Sequence, residues 1–240
     1  MLVWRPAWLT SVCAPQYLLA GQPKFAEFQK RNYGNNATVE SYKEFAKDFH
    51  AELWDPDQWM ELFHQAGAKG IMFTTKHCDG YTHWKSPSKP GYNSIDTGPK
   101  RDILGDLSTA VRAKEMRLGF YYCDCEWGNP VLSTAEGNGW VGGGRDPGKA
   151  TVAAQQKYAD VTWFPDMKHL TETYEPDMYF PDFGSACGFN STTLRSREFV
   201  TWLYNDSPVK DKVVMGDRLG SDVSCKHGDY FTCQDRFQPQ

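Results

Sequence analysis

The chain reads as an α/β protein wound on a parallel sheet, and three observations carry that reading. Short β-type runs alternate with amphipathic helical stretches. Four of the β-type runs end in ionisable groups, as strands do where a parallel sheet gathers its ligand chemistry. The length, 240 residues, is enough for one large α/β domain with a substantial core.

Taken in order, residues 1–20 carry no periodicity and form an unassigned N-terminal segment; a single domain is expected over 21–240. A polar, aromatic-spotted stretch from 21 to 36 leads to a helix near 41–49. Asp55-Pro56 then opens a second helix, with Asp55 as N-cap and Pro56 in the first helical position. Its buried stripe is expected to be Trp59, Leu62, Phe63 and Ala66. Gly67 to Gly70 breaks that helix, and Ile71 to Thr75 reads as a strand buried on both faces, ending in Lys76, His77, Cys78 and Asp79. The Ser-, Pro- and Gly-rich stretch 82–100 is long enough to be a functional lid.

A helix over 102–115 follows, with Leu104, Leu107, Ala110 and Val111 on one face. The strand 118–123 ends in Asp124, Glu126 and Trp127. Residues 129–148 are Gly-rich and read as a mobile surface loop. Helices over 151–159 and 165–174 precede a strand over 178–182, which ends in Asp182 with Phe183 and Gly184 as its exit. A last helix over 195–204 precedes a strand over 212–215, followed by Asp217 and Arg218. A closed (β/α)8 barrel and a doubly wound sheet both fit this order. The first strand carries no Gly-rich nucleotide fingerprint, which argues against a dinucleotide fold. Four strands are evident where a barrel needs eight, so the expectation is a partial (β/α)8 TIM-like barrel.

Composition narrows the function. The net charge of −4 offers no basic excess, which sets nucleic acid aside as a partner. No run of about eighteen apolar residues suggests a membrane-spanning helix. Arg5, Pro6 and Pro15 interrupt the mildly apolar N-terminus, which is not read as a signal peptide. Aromatic residues make up 15% of the chain, with nine Trp, which suits both core packing and stacking on sugar rings. N-glycosylation patterns at Asn36, Asn190 and Asn205 lean towards a secretory route, the last weakened by Pro208. Seven Cys leave at least one unpaired or bonded elsewhere; Cys225 and Cys233 are placed to bridge a hairpin, and Cys123 and Cys125 alternate onto one face of their strand. A metal set of Cys123, Cys125, Cys225, His227 and Cys233 matches no zinc spacing well.

The strand-end residues also carry a family resemblance. TTKHCDGYTHWKSP resembles the TTKHHDGF…W…S signature of glycoside hydrolase family 29, the α-L-fucosidases. WDPDQWMELFHQAGAKG, RDILGDLSTAVRAKEMRLGFYYCDCEW and YEPDMYFPD resemble the segments around it, in order and spacing. WLYNDSPVKDKVVMGDRLG and CKHGDYFTCQDRFQPQ are similar to the animal, lysosomal-type members. The resemblance covers about 21–240. It implies retaining hydrolysis of terminal α-L-fucose from glycoproteins or glycolipids, without a cofactor or metal, by two carboxyl groups roughly 5 Å apart. It implies Asp182 as the nucleophile, His77 as a ligand of fucose hydroxyls and Arg218 as a substrate contact beside the nucleophile. Tyr121 or Tyr122 matches a pocket tyrosine, with the expectation placed on Tyr121. Trp84 is expected to wall the pocket. The resemblance further implies fucosylated glycans as partners, a lysosomal or secreted location and a homo-oligomeric full-length form.

The chain also departs from the pattern. Cys78 stands where the family has its second His, and a thiol is a weaker partner for a sugar hydroxyl, so lower fucose affinity is expected. Phe180, Pro181, Gly216 and Leu219 replace other family residues around the Asp and Arg. The FGxFxHWG strand that opens the family barrel has no counterpart in 1–35. The acid/base residue of the animal-type members is expected downstream of Gln240, and Asp124, Glu126 and Asp229 are acids with no motif to support them. The expectation is a fragment that is inactive or very weak alone. Two other readings stand beside it: a non-catalytic fucose-binding remnant, and a barrel hydrolase using a metal at His77, Cys78 and Asp79.

Overall fold

Four parallel strands stand side by side in the order of the sequence: β1 (Gly70–Lys76), β2 (Arg117–Cys123), β3 (Met178–Asp182) and β4 (Val214–Met215). The structure is a computed structural model, and it describes residues 23–34, 38–132, 150–185, 187–233 and 235. Helices α1 (Pro23–Tyr33), α2 (Val39–Lys43) and α3 (Pro56–Gln65) precede the sheet. Every crossover is helical: α4 (Ile103–Ala113) joins β1 to β2, α5 (Val152–Tyr158) and α6 (Phe164–Tyr174) join β2 to β3, and α7 (Ser196–Asn205) joins β3 to β4. A doubly wound sheet reverses its strand order at a switch point. These strands do not, so they are four successive units of a (β/α)8 barrel.

Local chemistry accounts for most of the boundaries. Asp55 caps α3 by accepting from the Gln58 N–H at 3.0 Å, with Pro56 in the first turn. Asp102 caps α4 through the Gly105 N–H at 2.9 Å. The expected helix over 41–49 is the short α2 followed by a 3-10 turn, Glu44–Asp48. The two helices expected over 151–174 are one helical run, joined by a π turn, Ala159–Trp163. Helix α1 lies in the stretch read only as polar and aromatic-spotted. Much of the expected 129–148 loop lies outside the described residues.

Two burial expectations change. Met60, rather than Leu62 or Ala66, is the buried residue of α3, and Leu62 is exposed. β1 is half-buried along Ile71–Phe73 and becomes fully buried only from Thr74. Both follow from the position of β1 at one edge of the described sheet, where only one side of the strand and one line of α3 meet neighbours.

Strand alternation separates two apolar faces. On β2, Leu118, Phe120 and Tyr122 point to the helices and join Leu104, Leu107, Tyr179 and Phe199 in the main core. Tyr121 and Cys123 point to the opposite, inner face, where they meet Cys78, Trp127, Met72 and Phe180. On β3, Tyr179 belongs to the first set and Phe180 to the second.

A buried polar network ties loop 82–100 to the strand ends. The Lys76 ammonium, fully buried, donates to Glu126 at 2.7 Å and to the Tyr158 hydroxyl at 3.2 Å, and lies 4.0 Å from the centre of the Tyr122 ring. Lys89 of the loop reaches the other oxygen of Glu126. Ser86 and Ser88 donate to the two oxygens of Asp166 at 2.6 and 2.9 Å. The stretch read as a lid is therefore a fixed cover. Burial alone would raise the Glu126 carboxyl, but the charges of Lys76 and Lys89 outweigh it and bring its pKa down to about 2.

Two measurements check this account. Phe120→Ala should cost about 3–5 kcal/mol in urea unfolding, whereas Leu62→Ala should stay within about 0.5 kcal/mol. The Glu126 pKa is depressed in the fold, so its stabilisation is complete above its ordinary value of 4.5 and is lost as pH falls towards about 2. Glu126→Gln should flatten thermal stability across that window and cost about 3–5 kcal/mol at neutral pH, because Lys76 stays buried without its counter-charge.

Candidate active site

The inner face ends in a cluster of the residues read from the strand ends. Asp182 closes β3, and both of its oxygens are held: Oδ1 accepts from an Arg218 guanidinium nitrogen at 2.7 Å, and Oδ2 accepts from the Tyr121 hydroxyl at 2.7 Å. These are charge-assisted bonds that hold the carboxylate in one orientation. The side chains of Arg218 and Asp182 keep 11% and 10% of their surface exposed, so the carboxylate is confined but not sealed. The Arg218 guanidinium also lies 5.3 Å from the centre of the Phe180 ring.

His77 belongs to the same cluster. Its ring stacks on Tyr121 at 5.5 Å and 9°, and meets Phe183 edge-on at 5.9 Å and Trp127 at 5.7 Å. Its direction depends on an irregularity in β1. Thr74 pairs with Tyr121 and Lys76 pairs with Tyr122, so Thr75 is an extra residue in the register. The shift turns Lys76 to the helix side with Tyr122 and leaves His77 facing inward. After Asp182 the chain turns sharply: Phe183 adopts a φ of 64°, in the left-handed region uncommon for an aromatic residue, and places its ring beside His77 and Trp127.

Not every expected residue joins this group. Tyr121, not Tyr122, reaches the carboxylate; the Tyr122 hydroxyl donates to Asp166 on the helix side at 3.0 Å. Trp84 is fully buried in the main core near Tyr122 and does not wall the cluster. Cys78 is not a thiol facing a sugar: it is fully buried and bonded to Cys123, a disulfide that joins the ends of β1 and β2. Cys125 is bonded to Cys187 and Cys225 to Cys233, the latter as expected for a hairpin bridge. Cys123 and Cys125 pack in different clusters, because Cys125 lies beyond the end of β2. The sulfurs of Cys78, Cys123 and Cys125 lie within 4.8 Å of one another, but as disulfides they offer no thiolates to a metal. Cys13 and Asn36 lie outside the described residues. The Asn190 carboxamide is folded onto its own turn, accepting from the Thr192 and Thr193 N–H groups.

The acids without a motif have distinct environments. Glu126 is locked between two lysines. Asp229 accepts from the Tyr204 hydroxyl and from the Met215 N–H. Asp217 accepts from the Cys225 and Thr232 N–H groups and makes no pair with its neighbour Arg218. Asp124 is fully buried, and burial holds its carboxyl well above the ordinary carboxylate range. The sequence reading missed a fifth acid. Asp235, 75% exposed, accepts at 2.7 Å from the same Arg218 nitrogen that bonds Asp182. Two carboxylates therefore meet on one guanidinium nitrogen. Only the tertiary turn through 216–235 brings this exposed Asp to the site.

A cavity of about 580 Å³ lies elsewhere, between α7 and residues 223–229, and takes in none of these groups.

The sequence compares closely with known proteins. The family model described as Alpha-L-fucosidase matches residues 7–240. The chain is similar to the tissue alpha-L-fucosidase of Bos taurus, at 39% identity over 91% of this chain and 43% of that protein. It is similar to the human tissue alpha-L-fucosidase at 37% identity over 98% of this chain and 46% to 47% of the primate proteins. The chain thus spans about half the length of the curated relatives it matches. Among solved structures, an alpha-fucosidase from Thermotoga maritima superposes with a TM-score of 0.68 at 30% identity, over 86% of this chain and 44% of that one. An alpha-L-fucosynthase of the same organism gives 0.69 at 28% identity, over 90% and 45%. With its motifs, its strand order and a family match over nearly its whole length, this chain belongs to the alpha-L-fucosidase family, a family of glycoside hydrolases.

Proposed function

We propose that the site cleaves terminal α-L-fucose from glycoproteins or glycolipids with retention of configuration. The observation that carries this reading is the Asp182 carboxylate at the end of β3, held on both oxygens and sharing Arg218 with a second, exposed carboxylate. In the first step Asp182 attacks the anomeric carbon and the bond to the leaving oxygen breaks. A proton passes from Asp235 to that oxygen, leaving a fucosyl ester on Asp182. In the second step Asp235, now a carboxylate, takes a proton from water, whose oxygen attacks the anomeric carbon and frees Asp182. Tyr121 and Arg218 hold the nucleophile in place, and His77 is a ligand for sugar hydroxyls. Asp235 stands in this role beside the expectation of an acid/base residue downstream of Gln240. Three disulfides and the resemblance to tissue and plasma enzymes support a lysosomal or secreted location.

A non-catalytic fucose-binding role is the second reading, favoured by an inner face that the described residues bound with four strands only.

The test is hydrolysis of aryl and alkyl α-L-fucosides by the chain. Asp182→Ala should lower turnover of both by roughly 10³-fold or more. Asp235→Ala should slow the alkyl fucoside by about 10²–10⁴-fold and the activated aryl fucoside much less, because a good leaving group needs no proton. Full activity in Asp182→Ala would overturn the nucleophile. Saturable fucose binding by calorimetry, without turnover of either substrate, would establish the second reading.

A further inference from the structure

Asp124 is a buried acid that the proposed reaction leaves unused, and its surroundings are specific. It follows Cys123 at the end of β2, and its N–H donates to the Asp182 carbonyl at 2.8 Å, continuing the β2–β3 pairing one step beyond Cys123–Asp182. Its Oδ1 accepts from the Trp163 indole N–H at 2.7 Å. Its Oδ2 is buried without a hydrogen-bond partner and lies beside Gly184, where a Cβ would stand 3.0 Å from it. A side chain at 184 would press on this oxygen, so the glycine leaves the carboxyl its room.

We propose that Asp124 is a positioning residue for Asp182: a carboxyl sealed between Trp163 and Gly184 and tied by its backbone to the strand end from which Asp182 meets Arg218 and Tyr121. This rests on the reading of Asp182 as the nucleophile. The charged groups that act on Asp124 come from two neighbouring strands. Asp182 on β3 disfavours its ionisation and Lys76 on β1 favours it, while the Trp163 indole bond stabilises the anion. Burial outweighs these, so the proton stays on Asp124 well above the ordinary carboxylate range. Ionising it would bring a second negative charge, without counter-ion, against the strand end that carries Asp182. Two acids sharing one strand end would then divide their roles by environment, one held neutral and one charged.

The bond to Trp163 makes this measurable without turnover. In ¹⁵N-labelled protein the Trp163 indole cross-peak should titrate with a midpoint well above 3.8, the ordinary value for an Asp, and that titration should vanish in Asp124→Asn. Asp182→Asn removes the neighbouring charge and should lower the Trp163 midpoint. This arm keeps Asp124 in place, so it stands even where Asp124→Asn does not fold. The linkage has a defined sign: a raised native pKa gives stability that is complete below the unfolded value and is lost as pH rises through the native one. Asp124→Asn should remove that loss. A Trp163 resonance indifferent to pH, or a midpoint unmoved by Asp182→Asn, would overturn the proposal. Neither outcome depends on fucoside hydrolysis, so failure here is distinguishable from failure of the fucosidase reading.

Discussion

The inner face of the sheet depends on one extra residue in β1. Up to Thr74 the strand follows a strict alternation against β2; at Thr75 the register slips by one, and the pairing resumes at Lys76 opposite Tyr122. Because side chains alternate with a period of two, a slip of one exchanges the faces of everything beyond it. Lys76 turns towards the helices, where a buried ammonium finds Glu126 and Tyr158. His77 turns inward, where an imidazole finds Tyr121. Without the irregularity the lysine would enter the site and the imidazole would enter the core, so a local backbone feature decides both the chemistry of the site and the charge balance behind it.

Four acids at the strand ends show how environment divides residues of the same type. Asp182 holds two charge-assisted bonds and keeps a narrow opening to solvent. Asp124, whose N–H donates to the Asp182 carbonyl at 2.8 Å, is sealed against an indole and kept protonated by burial. Glu126 is as deeply buried as Asp124 but has two lysines, and is driven the opposite way. Asp217 spends its oxygens on backbone N–H groups of the segment that follows, fixing the turn from which Arg218 and Asp235 reach the site. Burial disfavours the charge of Asp124 and Glu126 alike; the nearby lysines separate them.

The disulfide between Cys78 and Cys123 takes over a position where the resembled family has an imidazole. It ties the ends of β1 and β2 across a loop of 45 residues, a cross-link of about 4 kcal/mol in the chain-entropy model. It lies next to His77 in the sequence, and Cys123 stands opposite Asp182 in the sheet. The substitution thus exchanges a polar group for a covalent tie at the base of the cluster. The Lys89 and Ser86 contacts, with the Cys78–Cys123 bridge, hold the loops above β1 to the neighbouring elements.

Much of the architecture is legible in the amino-acid sequence, for reasons that are local. Helix α4 follows from a capping Asp102 and the period of Leu104, Leu107 and Val111; β2 follows from a short apolar run between a charged start and an acidic end; Asp182, His77 and Arg218 stand out because chemistry-bearing side chains recur just past such runs. The sequence by itself therefore determined the alternation of strands and helices, the family, and which strand ends carry the reactive groups. The tertiary structure alone decided which of two adjacent tyrosines meets the carboxylate, that Trp84 belongs to the core, that Cys78 is bonded rather than free, and that Asp235 shares Arg218 with Asp182. Each of these depends on register, face or a contact between residues distant along the chain, and a linear pattern carries period but not the slip at Thr75 or the path of the turn through 216–235 that sets them.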